Sequence, residues 1–208
     1  MFVWYSFYMK CILFVDGSNL FGGMEEMLGV GKYWRFGSLL QQMKLDQKIE
    51  QVLFYGTYMR IDSTGGKTHV ARVKAQKKFF DSAKNDNRVR FFKGHFSGAG
   101  KEKGVDVHLA VDMVLGAMEN RYDSAAVMTG DADLKYAVER VRALGKEVKI
   151  MALGTRFPFG ISPIVQGRYV YDWQNVFCQD VLPKYRRKPK NLFVRELKGA
   201  LKVYSVKK

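Results

Sequence analysis

The sequence predicts an α/β fold in which a mainly parallel sheet is covered by helices on both faces. Short, continuous apolar runs alternate along the chain with segments that have helix-like periodicity. Strands that are apolar throughout are typical of a parallel sheet that is buried on both faces. With 208 residues, of which 47% are apolar, the chain is long enough for one domain with a real core and a short tail.

The predicted elements follow this alternation from one end of the chain to the other. The strands are predicted at residues 11–15, 51–59, 88–93, 125–129 and 147–152, with a sixth at 168–171. The helices are predicted at residues 37–45, 68–83, 105–119 and 134–144. The sequence Leu-Gly-Lys that follows the last helix is typical of a helix end that leads into a strand.

The chain is predicted to consist of a domain at residues 1–183 and a basic tail at residues 184–208. The segment PKYRRKPK lies at this boundary. Residues 1–8 are interpreted as an extension that precedes a natural start near Met9, or as an added strand. They do not fit a secretory signal, because the first lysine, Lys10, follows the apolar run instead of preceding it.

Other features predict a cytoplasmic protein that does not bind a membrane. No stretch reaches the ~18 consecutive apolar residues that a membrane-spanning helix needs. Cys11 and Cys178 lie in apolar surroundings and are interpreted as buried small hydrophobic residues, not as a disulfide pair. No Cys/His spacing indicates zinc. The sequence leaves open whether the protein is a homo-oligomer.

The positive charge is concentrated in two segments. The net charge is +15, and residues 67–103 contain 11 Lys and Arg against 3 Asp and Glu. Residues 184–208 contain 10 against 1, which leaves the rest of the chain slightly acidic. A concentrated basic surface favours a polyanion such as a nucleic acid. The alternative is a charged surface that only keeps the protein soluble.

Carboxylates follow two of the predicted strands directly. Asp16 ends the first strand, and Asn19 can turn back to fix this carboxylate or a metal-bound water. Asp131 and Asp133 follow the fourth strand after only two residues. Each motif could be a helix cap, but a cap needs one carboxylate, so the second of the pair is unexplained. Two like charges this close repel each other unless a cation lies between them.

A third carboxylate opens a predicted helix. Asp106 lies in its first turn, after the Gly-rich loop at residues 95–104, where the helix dipole alone would also favour it. Asp112 is roughly 120° further around that helix and is predicted to lie outside the ligand set. Because ligands bind beyond the carboxyl ends of parallel strands, we expect Asp16, Asp106 and the Asp131 pair to converge at one edge of the sheet. Carboxylate oxygens at such an edge suit Mg²⁺ or Mn²⁺.

Four motifs together resemble the NYN domain family, which includes LabA-like bacterial proteins and belongs to the PIN-like nuclease superfamily. They are VDGSNL at 15–20, KGVDVHLAVDM at 103–113, YDSAAVMTGDADL at 122–134 and GKEVKIMA at 145–152. The resemblance covers roughly residues 10–173. It implies a three-layer α/β/α Rossmann-like (PIN-like) fold and a metal-dependent endoribonuclease that hydrolyses RNA phosphodiester bonds with Mg²⁺ or Mn²⁺. The basic segments 67–103 and 184–208 are then expected to bind RNA.

The resemblance also implies roles for individual residues. Asp16, Asp106, Asp131 and Asp133 are implied to be the metal ligands, with Asn19 beside Asp16 as a further catalytic residue. The family usually has Ser before the Gly-Asp motif and Phe after its last Asp. This chain has Thr129 and Leu134 at those positions, and both keep the chemical type.

Three alternatives compete with a nuclease. The first is a catalytically silent PIN-like protein that binds RNA or has a regulatory role, but a pure binder would gain from losing negative charge beside phosphates. The second is a haloacid dehalogenase-type phosphatase, which needs a second Asp where Ser18 stands. A nucleotide-cofactor enzyme is disfavoured because no G-x-G-x-x-G follows the first strand.

Several weaker signals in the sequence are interpreted as structural or surface features. Gly98-Ala99-Gly100-Lys101 lacks the Ser/Thr of a phosphate loop, since Glu102 follows the lysine, and is interpreted as a mobile basic loop. His95 and His108 are interpreted as surface or packing residues. Aromatic residues in the tail, among them Tyr204, could stack on bases or anchor the tail to the domain.

Overall fold

A computed structural model describes residues 9–42, 49–62, 64–98, 102–151, 170–171 and 202–206. The strands are β1 Cys11–Asp16, β2 Lys32–Tyr33, β3 Ile49–Gly56, β4 Val89–Lys93, β5 His95–Phe96, β6 Glu102–Lys103, β7 Ser124–Met128, β8 Glu147–Met151, β9 Val170–Tyr171 and β10 Tyr204–Ser205. The helices are α1 Gly17–Leu28, α2 Phe36–Gln42, α3 Gly66–Lys84, α4 Val105–Met118 and α5 Lys135–Ala143. A 3₁₀ turn, Ala132–Leu134, precedes α5.

The main sheet has the order β4-β3-β1-β7-β8-β9, and all its pairs are parallel. Side chains of β1 alternate between its two faces. Leu13 and Val15 pack with residues of α1, α2 and α3, whereas Ile12 and Phe14 pack with residues of α4 and α5. The predicted α/β class with a parallel sheet between two helical layers is therefore confirmed.

Most predicted elements are present, and one helix was missed. The sequence did not predict α1, because Gly17, Gly22 and Gly23 lower its intrinsic helix propensity. The helix forms because Asp16 caps its first turn and because it buries Leu20, Phe21, Met24 and Leu28 against the sheet. Burial and capping together outweigh the propensity of its glycines.

The Gly-rich loop predicted at residues 95–104 is a correction. Two short antiparallel strands, β5 and β6, lie within this range, with His95 opposite Lys103 and Phe96 opposite Glu102. A two-residue strand has too few residues for an alternating pattern to be visible in the sequence. Residues 95–96 and 102–103 are therefore paired strands, which we call the hairpin, and not loop. Residues 99–101, part of the segment interpreted as a mobile basic loop, lie outside the described residues.

The end of the chain returns to the domain. Strand β10 pairs antiparallel with β2, and the Val206 amide donates to the Gly31 carbonyl at 3.0 Å. The Tyr204 ring stacks on Tyr33 with 5.5 Å between centroids, and the Arg35 guanidinium lies 4.9 Å from the Tyr204 centroid. Tyr204 therefore anchors the last part of the tail.

Several sequence predictions fall on residues that the structure does not describe. These are the extension at residues 1–8, the helix end at 43–45, Cys178 and the tail at 184–201. Cys11 is fully buried, as predicted. Among the described helices, none is both long and apolar enough to cross a membrane.

Gly17 permits a close approach between α1 and the sheet. A Cβ at this position would lie 2.2 Å from the Phe54 ring and 2.8 Å from the Tyr55 carbonyl oxygen. Phe54 is fully buried and packs against Phe36, Phe79 and other rings, so it has little room to move. The start of α1, directly after Asp16, depends on the absence of a side chain here.

We therefore expect Gly17→Ala to lower the free energy of unfolding by about 1–3 kcal/mol, as overpacking a close-packed core does. Gly98→Ala is the matched control, because a Cβ there meets no atom within 4 Å. Urea unfolding followed by circular dichroism would measure both. Equal stabilities of the two variants would contradict the close contact.

Candidate functional site

The candidate site lies where the strand order of the main sheet reverses direction. The chain runs from β1 through β3 to β4 on one side, and through β7 and β8 on the other. The carboxyl ends of β1 and β7 are therefore neighbours at a topological switch point, where parallel α/β sheets bind their ligands. Asp16 is the last residue of β1, and Thr129 directly follows β7.

Asp16 is buried and held by two donors. Only 4% of the residue is exposed. One carboxylate oxygen accepts from the Asn19 amide at 2.9 Å, which caps α1, and the other accepts from the Thr129 hydroxyl at 3.1 Å. Burial raises the pKa of the Asp16 carboxyl to about 7, and the nearby charge of Asp106 adds to the shift against the effect of the Asn19 hydrogen bond.

A hydrogen-bonded chain connects the first strand end to the second. The Asn19 side-chain carbonyl accepts from the Gly130 amide at 2.9 Å, and the Thr129 hydroxyl oxygen accepts from the Asp131 amide at 3.0 Å. Asp131 in turn accepts from the Asp133 amide at 2.9 Å and caps the 3₁₀ turn. Asp131 is therefore the residue of the pair that caps the following turn, and Asp133 has no capping role in this turn.

Asp106 is exposed in the first turn of α4 and is electrostatically coupled to the same site. Its pKa is raised, first by desolvation of the carboxylate. Negative charges add to this shift, and they belong to Asp131, Glu102 and Asp133. Asp106 therefore lies near enough to Asp16, Asp131 and Asp133 for the charges to raise pKa values between them.

Glu102 is a fifth carboxylate at this site, and sequence reasoning missed it. It lies on β6 and accepts a hydrogen bond from the Ser18 hydroxyl at 3.0 Å. Its charge raises the pKa of both Asp16 and Asp106. In the sequence, Glu102 is visible only as the residue that breaks a phosphate-loop motif, because the pairing of β5 with β6 is what brings it to the site. Asp112 instead accepts from the Tyr55 hydroxyl at 2.8 Å.

These five carboxylates, which we call the acidic cluster, have no cationic partner among the described residues. They are Asp16, Glu102, Asp106, Asp131 and Asp133. Within the described ranges, no Lys or Arg forms an ion pair with any of them. In a chain of net charge +15, negative charge left uncompensated in this way suits a bound cation.

The donor set fits a hard divalent cation in its chemistry, since every member is an oxygen ligand. The part of the chain that the structure describes contains no group of three or more acidic, His or Cys side chains already placed to hold a metal ion. The five carboxylates thus lie at the same end of the parallel strands, but their side chains do not converge on one metal position. His95 and His108 are both exposed near Gly104.

A three-layer α/β fold with an acidic cluster at the switch point defines the class of PIN-like nuclease folds. The chain belongs to the NYN domain family, which is part of this superfamily. The family model of the NYN domain matches residues 10–163. It is also similar to the crystal structure of a protein of unknown function from Vibrio parahaemolyticus, with a TM-score of 0.58 and 13% identity. That likeness covers 79% of this chain and 93% of the other and concerns the fold alone. No curated protein sequence matches the chain.

The raised pKa of Asp16 predicts how stability depends on pH in metal-free protein. An acid whose pKa rises on folding, here from 3.8 to about 7, stabilises the folded state while protonated. That contribution is complete below about pH 4 and is lost as the pH rises to about 7. Asp16→Asn removes the charge and keeps a good capping residue.

We therefore expect Asp16→Asn to become more stable relative to the original protein between pH 4 and pH 7, by a few kcal/mol in total. Urea unfolding in EDTA across this range would measure the difference. Parallel stability curves for the two proteins would show that Asp16 is not buried as a protonated acid.

Proposed function

We propose that this protein is a divalent-metal-dependent ribonuclease that hydrolyses RNA phosphodiester bonds, with Mg²⁺ or Mn²⁺ held by Asp16, Asp106, Asp131 and Asp133. The observation that carries the proposal is the acidic cluster at the switch point of a strongly basic chain, where no Lys or Arg of the described residues pairs with it. When bound, the divalent cation would lower the pKa of a water and stabilise charge on the attacking and leaving oxygens.

The chain's own residues would position this chemistry. The Thr129 hydroxyl fixes one oxygen of Asp16, and the Asn19 amide fixes the other, so the carboxylate has one orientation. The Asn19 side chain also holds the Gly130 backbone, which sets the position of Asp131 relative to Asp16. Asn19 therefore acts as a positioning residue between the two strand ends.

RNA binding is assigned to the basic segments. Lysines on the outer side of α3 are exposed, and among them Lys74 and Lys78 make no ion pair within the described residues. Arg72 and Lys77 on the same helix are already paired with Glu25 and Asp81. The unpaired lysines are free to neutralise phosphates, and the tail at residues 184–208 adds charge of the same sign.

The alternative is a PIN-like protein that binds RNA or regulates a partner without cleaving it. The absence of a ready-made three-ligand group among the described residues favours this alternative. The uncompensated charge favours catalysis, because a protein that only bound RNA would gain affinity by losing these carboxylates. An assay of cleavage separates the two.

We expect cleavage of single-stranded RNA in Mg²⁺ or Mn²⁺, its loss in EDTA, and a loss of at least about 100-fold in Asp131→Asn, as when one oxyanion-stabilising group is removed. Asp123→Asn is the matched control, since Asp123 precedes β7 at the opposite end of the strands and its side chain accepts from the Lys10 amide. Gel electrophoresis of labelled RNA would measure all four. RNA bound without any cleavage would establish the silent alternative.

A second experiment tests the basic surface. We expect the double substitution Lys74→Gln, Lys78→Gln to weaken RNA binding and to reduce the slope of log K against log salt by up to about 1.4, since each phosphate contact contributes about 0.7 on single strands. The control with the same charge change is Lys10→Gln, Lys146→Gln, because both lysines precede strands at the far edge. Binding by Asp131→Asn protein across a salt series would measure the slopes.

The tail requires a charge substitution instead of a deletion, because removing residues 184–208 would also remove the packing of Tyr204 on Tyr33. Changing Lys184, Arg186 and Arg187 to Gln leaves that contact in place. We expect a higher KM, a lower salt slope and little change in kcat. An unchanged salt slope would show that these three residues make no phosphate contacts.

A further inference from the structure

A cavity of about 540 Å³ lies directly beside the acidic cluster. Ser18 and Glu102, which are hydrogen-bonded to each other at 3.0 Å, line it. Because Glu102 also belongs to the acidic cluster, this pair forms a wall that the cavity and the cluster share. The cavity has the size typical of sites for small organic groups.

The lining of the cavity combines apolar and polar groups. Phe21, Met59 and Phe96 provide its apolar surface, and the ion pair between Arg72 and Glu25, at 2.8 Å, closes another side. Phe96 is only partly buried, so part of its aromatic ring is accessible at the cavity wall. The Arg60 guanidinium lies 5.4 Å from the centre of that ring. Aromatic rings and arginine planes are the groups on which unpaired nucleobases stack.

The hairpin fixes how far Phe96 is from the acidic cluster. Phe96 on β5 is paired directly with Glu102 on β6. Residues that face each other across an antiparallel pair have Cβ atoms about 5 Å apart and project on the same side. The ring is therefore one strand spacing from a carboxylate of the cluster, which is the scale of the separation between a nucleotide's base and its own phosphate.

The charge of the lining favours a nucleobase over a phosphate as the group that occupies the cavity. Glu25, Glu26 and Glu102 all line the cavity, and the one Lys or Arg among its described lining residues, Arg72, is already paired with Glu25. Phosphate would be repelled by this lining, whereas a nucleobase is flat, uncharged and able to donate from its amino groups. A base inside a duplex is stacked between its neighbours and would first have to leave the helix.

We propose that this cavity binds one unpaired nucleobase, stacked on Phe96, and that the phosphate of the same nucleotide lies at the acidic cluster. The inference rests on the proposed function for its substrate and narrows that substrate to RNA with a single-stranded segment. Phe96 is thereby assigned a role in substrate binding, and the hairpin is the element that joins base recognition to the acidic cluster.

The test measures binding without cleavage. Asp131→Asn protein, which is expected not to cleave, is titrated in Mg²⁺ with a fluorescein-labelled single-stranded RNA of about eight nucleotides, a length within the range of single-strand sites. A series of the same RNA carries one abasic nucleotide at each position in turn. Phe96→Leu removes the ring and keeps an apolar side chain, whereas Phe96→Tyr keeps the ring and serves as the matched control.

We expect Phe96→Leu to weaken binding of the intact RNA about five- to one-hundred-fold, the range that corresponds to the loss of one stacked base. Phe96→Tyr should bind as the parent protein does. With the abasic nucleotide at one particular position, the parent protein and Phe96→Leu should bind equally. Fully paired duplex RNA should show no dependence on residue 96.

Two results would overturn the proposal: equal affinity of the parent protein and Phe96→Leu for the intact RNA, or the same loss for every abasic RNA. Thermal unfolding of the variants checks that they fold. If Phe96→Leu does not fold, the parent protein is titrated with RNA that carries fluorescent 2-aminopurine at each position in turn. Stacking on a ring quenches this base, so unchanged fluorescence at every position would refute stacking. If binding depends on the base but no metal supports cleavage, the base-binding proposal is supported and the proposed nuclease activity is contradicted.

Discussion

The candidate site depends on how the ends of β1 and β7 are joined. The two strands are neighbours in the sheet, although their residues are more than a hundred positions apart in sequence. The Thr129 hydroxyl donates to Asp16 and accepts from the Asp131 amide, so one side chain connects both strand ends. Asp16 is buried and accepts from two donors among the described residues, so its carboxylate is costly to ionise. A bound cation would offset this cost.

Much of the fold could be predicted from the sequence because its sheet is buried on both faces. Runs such as residues 11–15 and 125–128 are apolar throughout and have no competing interpretation as surface segments. The aspartates were found by the same logic, since the end of a buried strand fixes the edge at which a following residue lies. Strand positions, and the end of the sheet at which the aspartates lie, are thus encoded locally.

The parts that could not be predicted depend on contacts distant in sequence. Helix α1 is rich in glycine, and it is helical because it is buried against the sheet and capped by Asp16. Glu102 reaches the acidic cluster through pairing with Phe96 and a hydrogen bond to Ser18, neither of which leaves a periodic signal. The cavity beside it has walls from α1, α3 and the hairpin, so no single segment carries its pattern.

The pairing of β10 with β2 has a consequence for how the domain folds. Tyr33 and its partner Tyr204 are separated by most of the chain, so the contact closes a very long stretch of sequence. Contacts of this kind form late, because the entropy of closure must be overcome before the contact contributes. During synthesis, the edge of β2 and the face of Tyr33 stay without this partner until residue 206 has left the ribosome. Until then, the short edge strand is exposed to other chains, which is the condition under which edges associate wrongly.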